Sequence, residues 1–253
     1  MTAKIRKLAN QFTTTYTTQF KNLLVSGCSF TYNNSDSIIC TWPYYLRDLA
    51  GFEQVYDCSQ GGAGNNHVFN SIINEIETNP NINTQDTLVI IMWSGLTRTD
   101  VIAKQDVTKP EHHMSNYCFD DQYATLSIFN HIDKSTPFDQ LCRQYKKLVS
   151  ADAQVYESVI KIIALKAYLD QKGFRSIITS WKDPQLELKH TTINPSIINS
   201  AISTVNAVTY LDSYAISKKF READGHPTPY GHLGWTRNHL LPYLKLIGYV
   251  TKI

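Results

Sequence analysis

Two short stretches near opposite ends of the chain hold residues that could act together. The first is Gly27-Cys28-Ser29, where a serine closely follows the run "LLVS" (23–26). A serine released at the end of a buried strand presents its hydroxyl at a sheet edge, and Gly27 permits the sharp turn or close approach this needs. A serine hydroxyl is a poor nucleophile without a nearby base. The second stretch, "EADGHPTPYGHLGW" (222–235), offers one: Asp224 and His226 stand two apart, followed by Pro227. An imidazole at 226 can take the serine proton, and a carboxylate at 224 can hold the ring in one tautomer and stabilise its protonated form. Each half alone is weak. G-x-S describes many strand-to-loop turns with a solvated serine, and an Asp-Gly-His turn before a capped helix needs no function. The combination is far less common by chance than either half, and it points to nucleophilic attack by Ser29 with His226 as base.

The elements that must position these residues read as alternating strands and helices. Short apolar runs recur as "LLVS" (23–26), "LVIIMW" (88–93), "SIITSW" (176–181) and "VTYL" (208–211), with a weaker one in "QVYDCS" (54–59). "LVIIMW" lacks alternation, as strands of a parallel sheet covered on both faces do. Between them lie helical patterns. In "TWPYYLRDLAGF" Thr41 caps, Pro43 sits in the first turn and Gly51 stops the helix. "NNHVFNSIINEIET" places Val68, Ile72, Ile73 and Ile76 on one face, and the stretch from Ala151 to Gly173 aligns Val155, Val159, Ile162 and Ile163. Thr228 and Pro229 start the last helix. The order predicts an α/β chain: a three-layer α/β/α sandwich around a central, mostly parallel five-stranded sheet. It reads as a single domain over 1–253, with insertions at about 99–149 and 182–206. The first holds the helix pattern "STPFDQLCRQYKKLV", with Phe138, Leu141, Tyr145 and Leu148 on one side. Both leave from the carboxyl edge of the sheet, where open parallel sheets bind ligands, and are candidate walls of a site.

Composition narrows the classes. The chain has 253 residues, 42% of them hydrophobic, enough for one sizeable core. Its net charge is +2, from 24 basic and 22 acidic residues that nowhere bunch, so a nucleic-acid partner is not expected. No run approaches the roughly 18–20 apolar residues of a membrane span, and the polar stretch after Lys7 does not suit a signal peptide. The expectation is a protein cytoplasmic at synthesis; release from the cell or association with a virion would leave no mark on the chain. The five scattered cysteines, never spaced C-x-x-C, read as free thiols of a reducing compartment.

Other motifs are weaker. His226, His232 and His239 lack the i, i+4 spacing of a zinc helix, and His112-His113 has no partnered carboxylate, so no metal is expected. Gly61-Gly62-Ala63-Gly64 precedes a helix but fits neither a P-loop nor G-x-G-x-x-G, and no cofactor is expected. The G-x-S-x-G elbow is absent, because Thr31 stands where its second glycine would be.

The pairing of Gly27-Cys28-Ser29-Phe30-Thr31 with Asp224-Gly225-His226-Pro227 resembles the SGNH (GDSL-like) hydrolase family. "GCSFT" lies on its first block with Cys28 in place of aspartate, a divergent variant, and Asp224 and His226 lie on its fifth. The resemblance implies a flavodoxin-like three-layer fold and the triad Ser29, His226 and Asp224. It also implies that the Gly62 N–H, in "YDCSQGGAGNNHV", donates to an oxyanion. The third block departs: after "LVIIMW" the sequence "WSGLTRTD" puts Thr97 and Arg98 where the family has Asn and Asp. Removing one oxyanion donor typically costs ~10²–10³-fold in rate. Thr97, Asn65 or the Arg98 guanidinium are the candidate stand-ins, with Arg98 equally well placed for an ion pair to Asp100.

The expected activity is hydrolysis of a short acyl ester, such as an acetyl group on an alcohol or a carbohydrate, without cofactor or metal. The expected partner is a small-molecule or glycan ester. Two alternatives stand beside it: acyl transfer by the same triad, and a catalytically weak carbohydrate-binding or structural module.

Overall fold

The computed structural model describes residues 16–32, 40–102, 118–119, 123–127, 137–184, 192, 194–204 and 225–253. In chain order the first elements are β1 (Tyr16–Thr18), β2 (Asn22–Gly27), α1 (Trp42–Ala50), β3 (Gln54–Asp57), α2 (Asn65–Thr78) and β4 (Thr87–Trp93). Then come β5 (Arg98–Ile102), β6 (Cys118–Phe119), β7 (Tyr123–Ser127), α3 (Pro137–Leu148), α4 (Ala151–Lys172), β8 (Arg175–Ser180) and α5 (Pro195–Thr204). Last are α6 (Pro229–Trp235), a π-helical turn (Thr236–Leu240), α7 (Leu241–Leu246) and β9 (Val250–Lys252).

The continuous apolar runs become the parallel sheet, ordered β3-β2-β4-β8. Every residue of β4 is buried because both faces are covered. On one face Leu23, Val25, Ile90, Met92 and Ile177 join a core with Trp42 and Leu46 of α1, Trp235 of α6 and Leu241 of α7. On the other, Leu24, Val89, Ile91 and Ile178 meet Val68 and Ile72 of α2 and Val155, Val159 and Ile162 of α4. This is the expected three-layer α/β/α arrangement. The strand count is corrected: the parallel sheet has four strands among the described residues, not five. The fifth expected strand, 208–211, lies outside those residues.

The stretch expected as the first insertion begins with a structure the apolar pattern did not suggest. There β5, β7 and β6 form a small antiparallel sheet in that order, with Arg98 opposite Ser127. The expected helix follows as α3, and Leu148 at its end is exposed rather than packed.

Helix ends follow local chemistry. Ser150 accepts from the Ala153 N–H at the start of α4, and Gly173 closes it in the left-handed region at φ +85°. Thr228 accepts from the Gly231 N–H at the start of α6, with Pro229 in the first turn. The same helical rod widens to a π turn just before Pro242. Proline offers no N–H and its ring crowds the preceding turn, and the wider turn accommodates both.

Candidate active site

Strand β2 ends on Gly27 and the chain turns at once. The N–H groups of Thr31 and Tyr32 both donate to the Cys28 carbonyl, at 2.8 and 3.0 Å, closing a tight turn that carries Ser29 at its exposed side. A Cβ at Gly27 would meet Thr31 Oγ1 at 2.3 Å and the Met92 carbonyl oxygen at 2.9 Å, so the close approach depends on glycine. Helix α1 fastens the far side of this turn. Thr41 Oγ1 donates to the Thr31 carbonyl at 2.7 Å, and Trp42 Nε1 donates to Thr31 Oγ1 at 3.2 Å. Thr41, expected as the side-chain cap of α1, makes no such bond to its helix; its hydroxyl serves the serine turn. Cys28 is fully buried and Ser29 is half-buried.

Ser29 Oγ lies 2.7 Å from His226 Nε2, across 197 positions of sequence. In the neutral tautomer with hydrogen on Nδ1, Nε2 accepts from the serine hydroxyl, the polarity a general base requires. Gly225, at φ +87°, sets the turn before His226, and Pro227 and the capped start of α6 follow directly. The Phe30 ring packs on the imidazole, with centroids 4.9 Å apart and planes 31° apart. Phe30 also meets Trp181, which follows β8, at 4.9 Å. His232, on α6, is buried, and its pKa falls to about 3, first from desolvation and then from repulsion by nearby His226. His232 is therefore neutral at physiological pH. Asp224 lies outside the described residues.

The glycine-rich loop runs along the serine turn. The N–H of Gln60 donates to the Gly27 carbonyl at 3.1 Å, continuing the ladder past β3, and the Ala63 N–H closes a turn onto the Gln60 carbonyl at 3.1 Å. Gly62 takes the left-handed position in it, φ +81°, which glycine alone adopts without strain. A Cβ on the adjacent Gly61 would meet the Tyr32 ring at 3.4 Å, which places this loop against residues 27–32.

The candidate side-chain donors are arranged differently from one another. Asn65 is a correction: both hydrogens of its amide are committed, to the Gly95 carbonyl at 3.0 Å and Ser158 Oγ at 2.9 Å, while its oxygen accepts from the Ser94 N–H at 3.1 Å. An amide so engaged has no hydrogen left for an oxyanion. It holds the loop after β4 to α2 and α4 instead, helped by Ser158 Oγ, which donates to the Leu96 carbonyl at 2.8 Å. Thr97 is buried and Arg98 half-buried, in a turn closed by the Arg98 N–H on the Gly95 carbonyl at 2.9 Å. Among the described residues no hydrogen bond or ion pair joins either side chain to Ser29 or His226. The Asp100 carboxylate, considered as a partner for Arg98, caps α2: its two oxygens accept from the Gly64 and His67 N–H groups, each at 2.8 Å.

The structure thus brings Ser29 and His226 into contact and the Gly62 loop against the serine turn. Three contributors escaped sequence reasoning. Phe30 packs on the imidazole and Trp181 packs on Phe30 in turn, and the only cue was aromatic character at the ends of two strands. Ser158 carried a better cue, since it falls in phase with Val155, Val159 and Ile162 on the buried face of α4, where a hydroxyl calls for a polar partner. Among the described residues no group of three or more His, Cys, Asp or Glu side chains could hold a metal ion. No helix among them is long and apolar enough to cross a membrane.

Neither a protein-family profile nor a curated protein matches the sequence. Several solved structures are similar in fold at low identity. TesA is 15% identical, with 89% of this chain and 99% of that one covered and a TM-score of 0.48. A member of the lipolytic protein G-D-S-L family from Veillonella parvula DSM 2008 is 13% identical, covering 88% of this chain and 98% of that one, with a TM-score of 0.48. The psychrotrophic esterase EstA from Pseudoalteromonas sp. is 10% identical over 89% of this chain and 99% of that one, also at 0.48.

Proposed function

We propose that the protein is a serine ester hydrolase of the SGNH type, acting on a short acyl ester, acetyl first among them, of an alcohol or a carbohydrate. The observation that carries this reading is the 2.7 Å contact between Ser29 Oγ and His226 Nε2 at the carboxyl edge of a parallel sheet.

In this reading Ser29 Oγ attacks the ester carbonyl carbon while its proton passes to His226 Nε2. The tetrahedral intermediate places its oxyanion against the backbone N–H groups of Ser29 and Gly62. Collapse breaks the bond to the alcohol oxygen, which takes the proton from His226 and leaves. Water then attacks the acyl-enzyme, gives a proton to His226, and returns Ser29 Oγ with that proton as the acid departs. Asp224 orients His226 and stabilises the imidazolium. Phe30 keeps the ring from rotating away. With Asn65 committed elsewhere, Thr97 and Arg98 remain the candidate third donors, and Arg98 suits a developing negative charge.

A fluorophosphonate probe and p-nitrophenyl acetate test this. Stoichiometric labelling of Ser29, with labelling and turnover both lost in Ser29→Ala, is the expected result. Turnover that persists in Ser29→Ala removes the nucleophile assignment, and absence of both labelling and turnover in the unaltered protein favours a binding module. Product analysis with added alcohols separates hydrolysis from acyl transfer.

A further inference from the structure

The contact between Ser29 and His226 is only as fixed as the packing between the elements that carry them. Ser29 rides on the turn after β2, and His226 stands just before Thr228, which caps α6. Trp42, in the first turn of α1, touches both sides. Its Nε1–H donates to Thr31 Oγ1 at 3.2 Å, at the closing end of the serine turn. Its ring meets that of Trp235 on α6 edge to face, with centroids 5.6 Å apart and planes 71° apart. Both indoles are fully buried. A hydrocarbon side chain could fill this space but would hold neither neighbour with direction. The donated hydrogen bond fixes Thr31, and the edge-to-face pair fixes one ring against the other.

The serine turn has no slack with which to absorb a shift. On the β2 side, Thr31 Oγ1 lies 2.3 Å from where a Cβ on Gly27 would stand. On the α1 side, Thr41 Oγ1 donates to the Thr31 carbonyl at 2.7 Å. The histidine side is stiff as well: the His232 N–H donates to the Thr228 carbonyl at 3.0 Å, and Pro227 restricts the backbone between Thr228 and His226. Movement of Trp42 is therefore passed to Ser29 and, through Trp235, to His226. We propose that Trp42 is a positioning residue that ties the serine turn to helix α6 and so sets the distance between Ser29 Oγ and His226 Nε2. This rests on the esterase reading of that pair. Misplacing reacting groups by about 1 Å can cost on the order of 10²-fold in rate, so a side chain that never meets substrate can control the chemical step.

The test measures fluorophosphonate labelling of Ser29 over a range of probe concentrations, which separates probe binding from the bond-forming rate. The unaltered protein is compared with Trp42→Phe, Trp235→Phe, the double variant and Ile177→Ala, each well below its melting temperature. Trp42→Phe keeps a ring but drops the donor; Ile177→Ala opens a hole in the same core from strand β8. Trp42→Phe should slow bond formation by about tenfold while probe binding changes by less than about twofold. Trp235→Phe should slow it less, and the double variant should label about as slowly as Trp42→Phe alone, because both changes cut one link. Ile177→Ala should lower the melting temperature and leave labelling of the folded protein as it was. Equal slowing in Ile177→Ala would reduce Trp42 to core packing and overturn the inference. So would a Trp42→Phe loss confined to probe binding, or single effects that multiply in the double variant. Should Trp42→Phe fail to fold, Trp235→Phe decides by the same comparison with Ile177→Ala. An unaltered protein that does not label removes the esterase reading, and this inference with it. Normal labelling of both the unaltered protein and Trp42→Phe removes the inference alone.

Discussion

Gly27 and Thr31 approach so closely that a single added carbon at position 27 would lie 2.3 Å from the Thr31 hydroxyl oxygen. Thr31 cannot give way, because its hydroxyl is held by Trp42 and its carbonyl by Thr41. The Met92 carbonyl, at 2.9 Å, belongs to the backbone of the central strand and cannot move either. Gly27→Ala should therefore destabilise the fold by about 1–3 kcal/mol through overpacking, and shift Ser29 away from His226. Denaturant midpoints and fluorophosphonate labelling rates would register the two effects separately. Adding Thr31→Ser should not restore either, since the oxygen, the Thr31 Cβ position and the Met92 carbonyl all remain.

The Asn65 amide makes a second prediction. Its removal leaves the Ser94 N–H buried without its partner and takes one of two donors from the Gly95 carbonyl, which keeps the Arg98 N–H. A buried orphan typically costs about 1–3 kcal/mol, so Asn65→Ala should be among the more damaging polar substitutions, with a fall of about 1–3 kcal/mol in urea denaturation. Asn65→Asp should fare no better, because a carboxylate can still accept from Ser94 but has no hydrogens for Gly95 and Ser158. A full-stability Asn65→Asp protein would show that the loop after β4 does not depend on this amide.

The extent to which these features could be read from sequence follows the range of the interaction. Strands β2, β4 and β8 were legible because a strand covered on both faces must be apolar throughout. The ends of α1 and α4 were legible because Gly51 and Gly173 supply the left-handed residue a helix stop needs. Ser29 and His226 could be singled out because a serine after a buried strand and a histidine before a capped helix each have a local signature. What joins them has none: the Phe30 ring on the imidazole and the indole of Trp181 on Phe30 depend on tertiary placement. The antiparallel sheet of β5, β7 and β6 was missed because its strands are short and their polar residues give no clear alternation. Asn65 was misassigned because an asparagine opening a helix beside a glycine loop looks like an available donor. Only the packing of α4, with Ser158 on its buried face, reveals that its hydrogens are taken.

Asp100 tests how firmly β5 is tied to the glycine loop. Its two carboxylate oxygens satisfy the first free N–H groups of α2, at Gly64 and His67, in place of a side-chain cap from the helix's own sequence. Asparagine has one acceptor oxygen, so Asp100→Asn should lose one of these bonds and cost about 1–2 kcal/mol, in the range of a lost N-cap. Because α2 begins directly after the Gly62 turn, kcat on p-nitrophenyl acetate should fall more than KM rises. A stability loss with kcat unchanged would confine Asp100 to helix capping.

His232 governs a pH response. Its pKa in the folded protein lies near 3, below the usual 6.5, first because burial disfavours the cation and then because His226 is close. A group whose folded pKa is depressed is bound to more protons in the unfolded chain between the two values, so stability rises with pH across that window. The contribution should be fully present above about pH 6.5 and should be lost progressively on acidification toward pH 3, by up to a few kcal/mol. Carboxylates titrate in the lower part of the same window, so the comparison needs a variant. His232→Leu cannot be protonated, and its melting temperature should fall less steeply than that of the unaltered protein between pH 6.5 and 4.5, even if its value at pH 7 is lower. Parallel slopes over that interval would mean that His232 takes up its proton in the folded state as readily as in the unfolded chain, contrary to its burial.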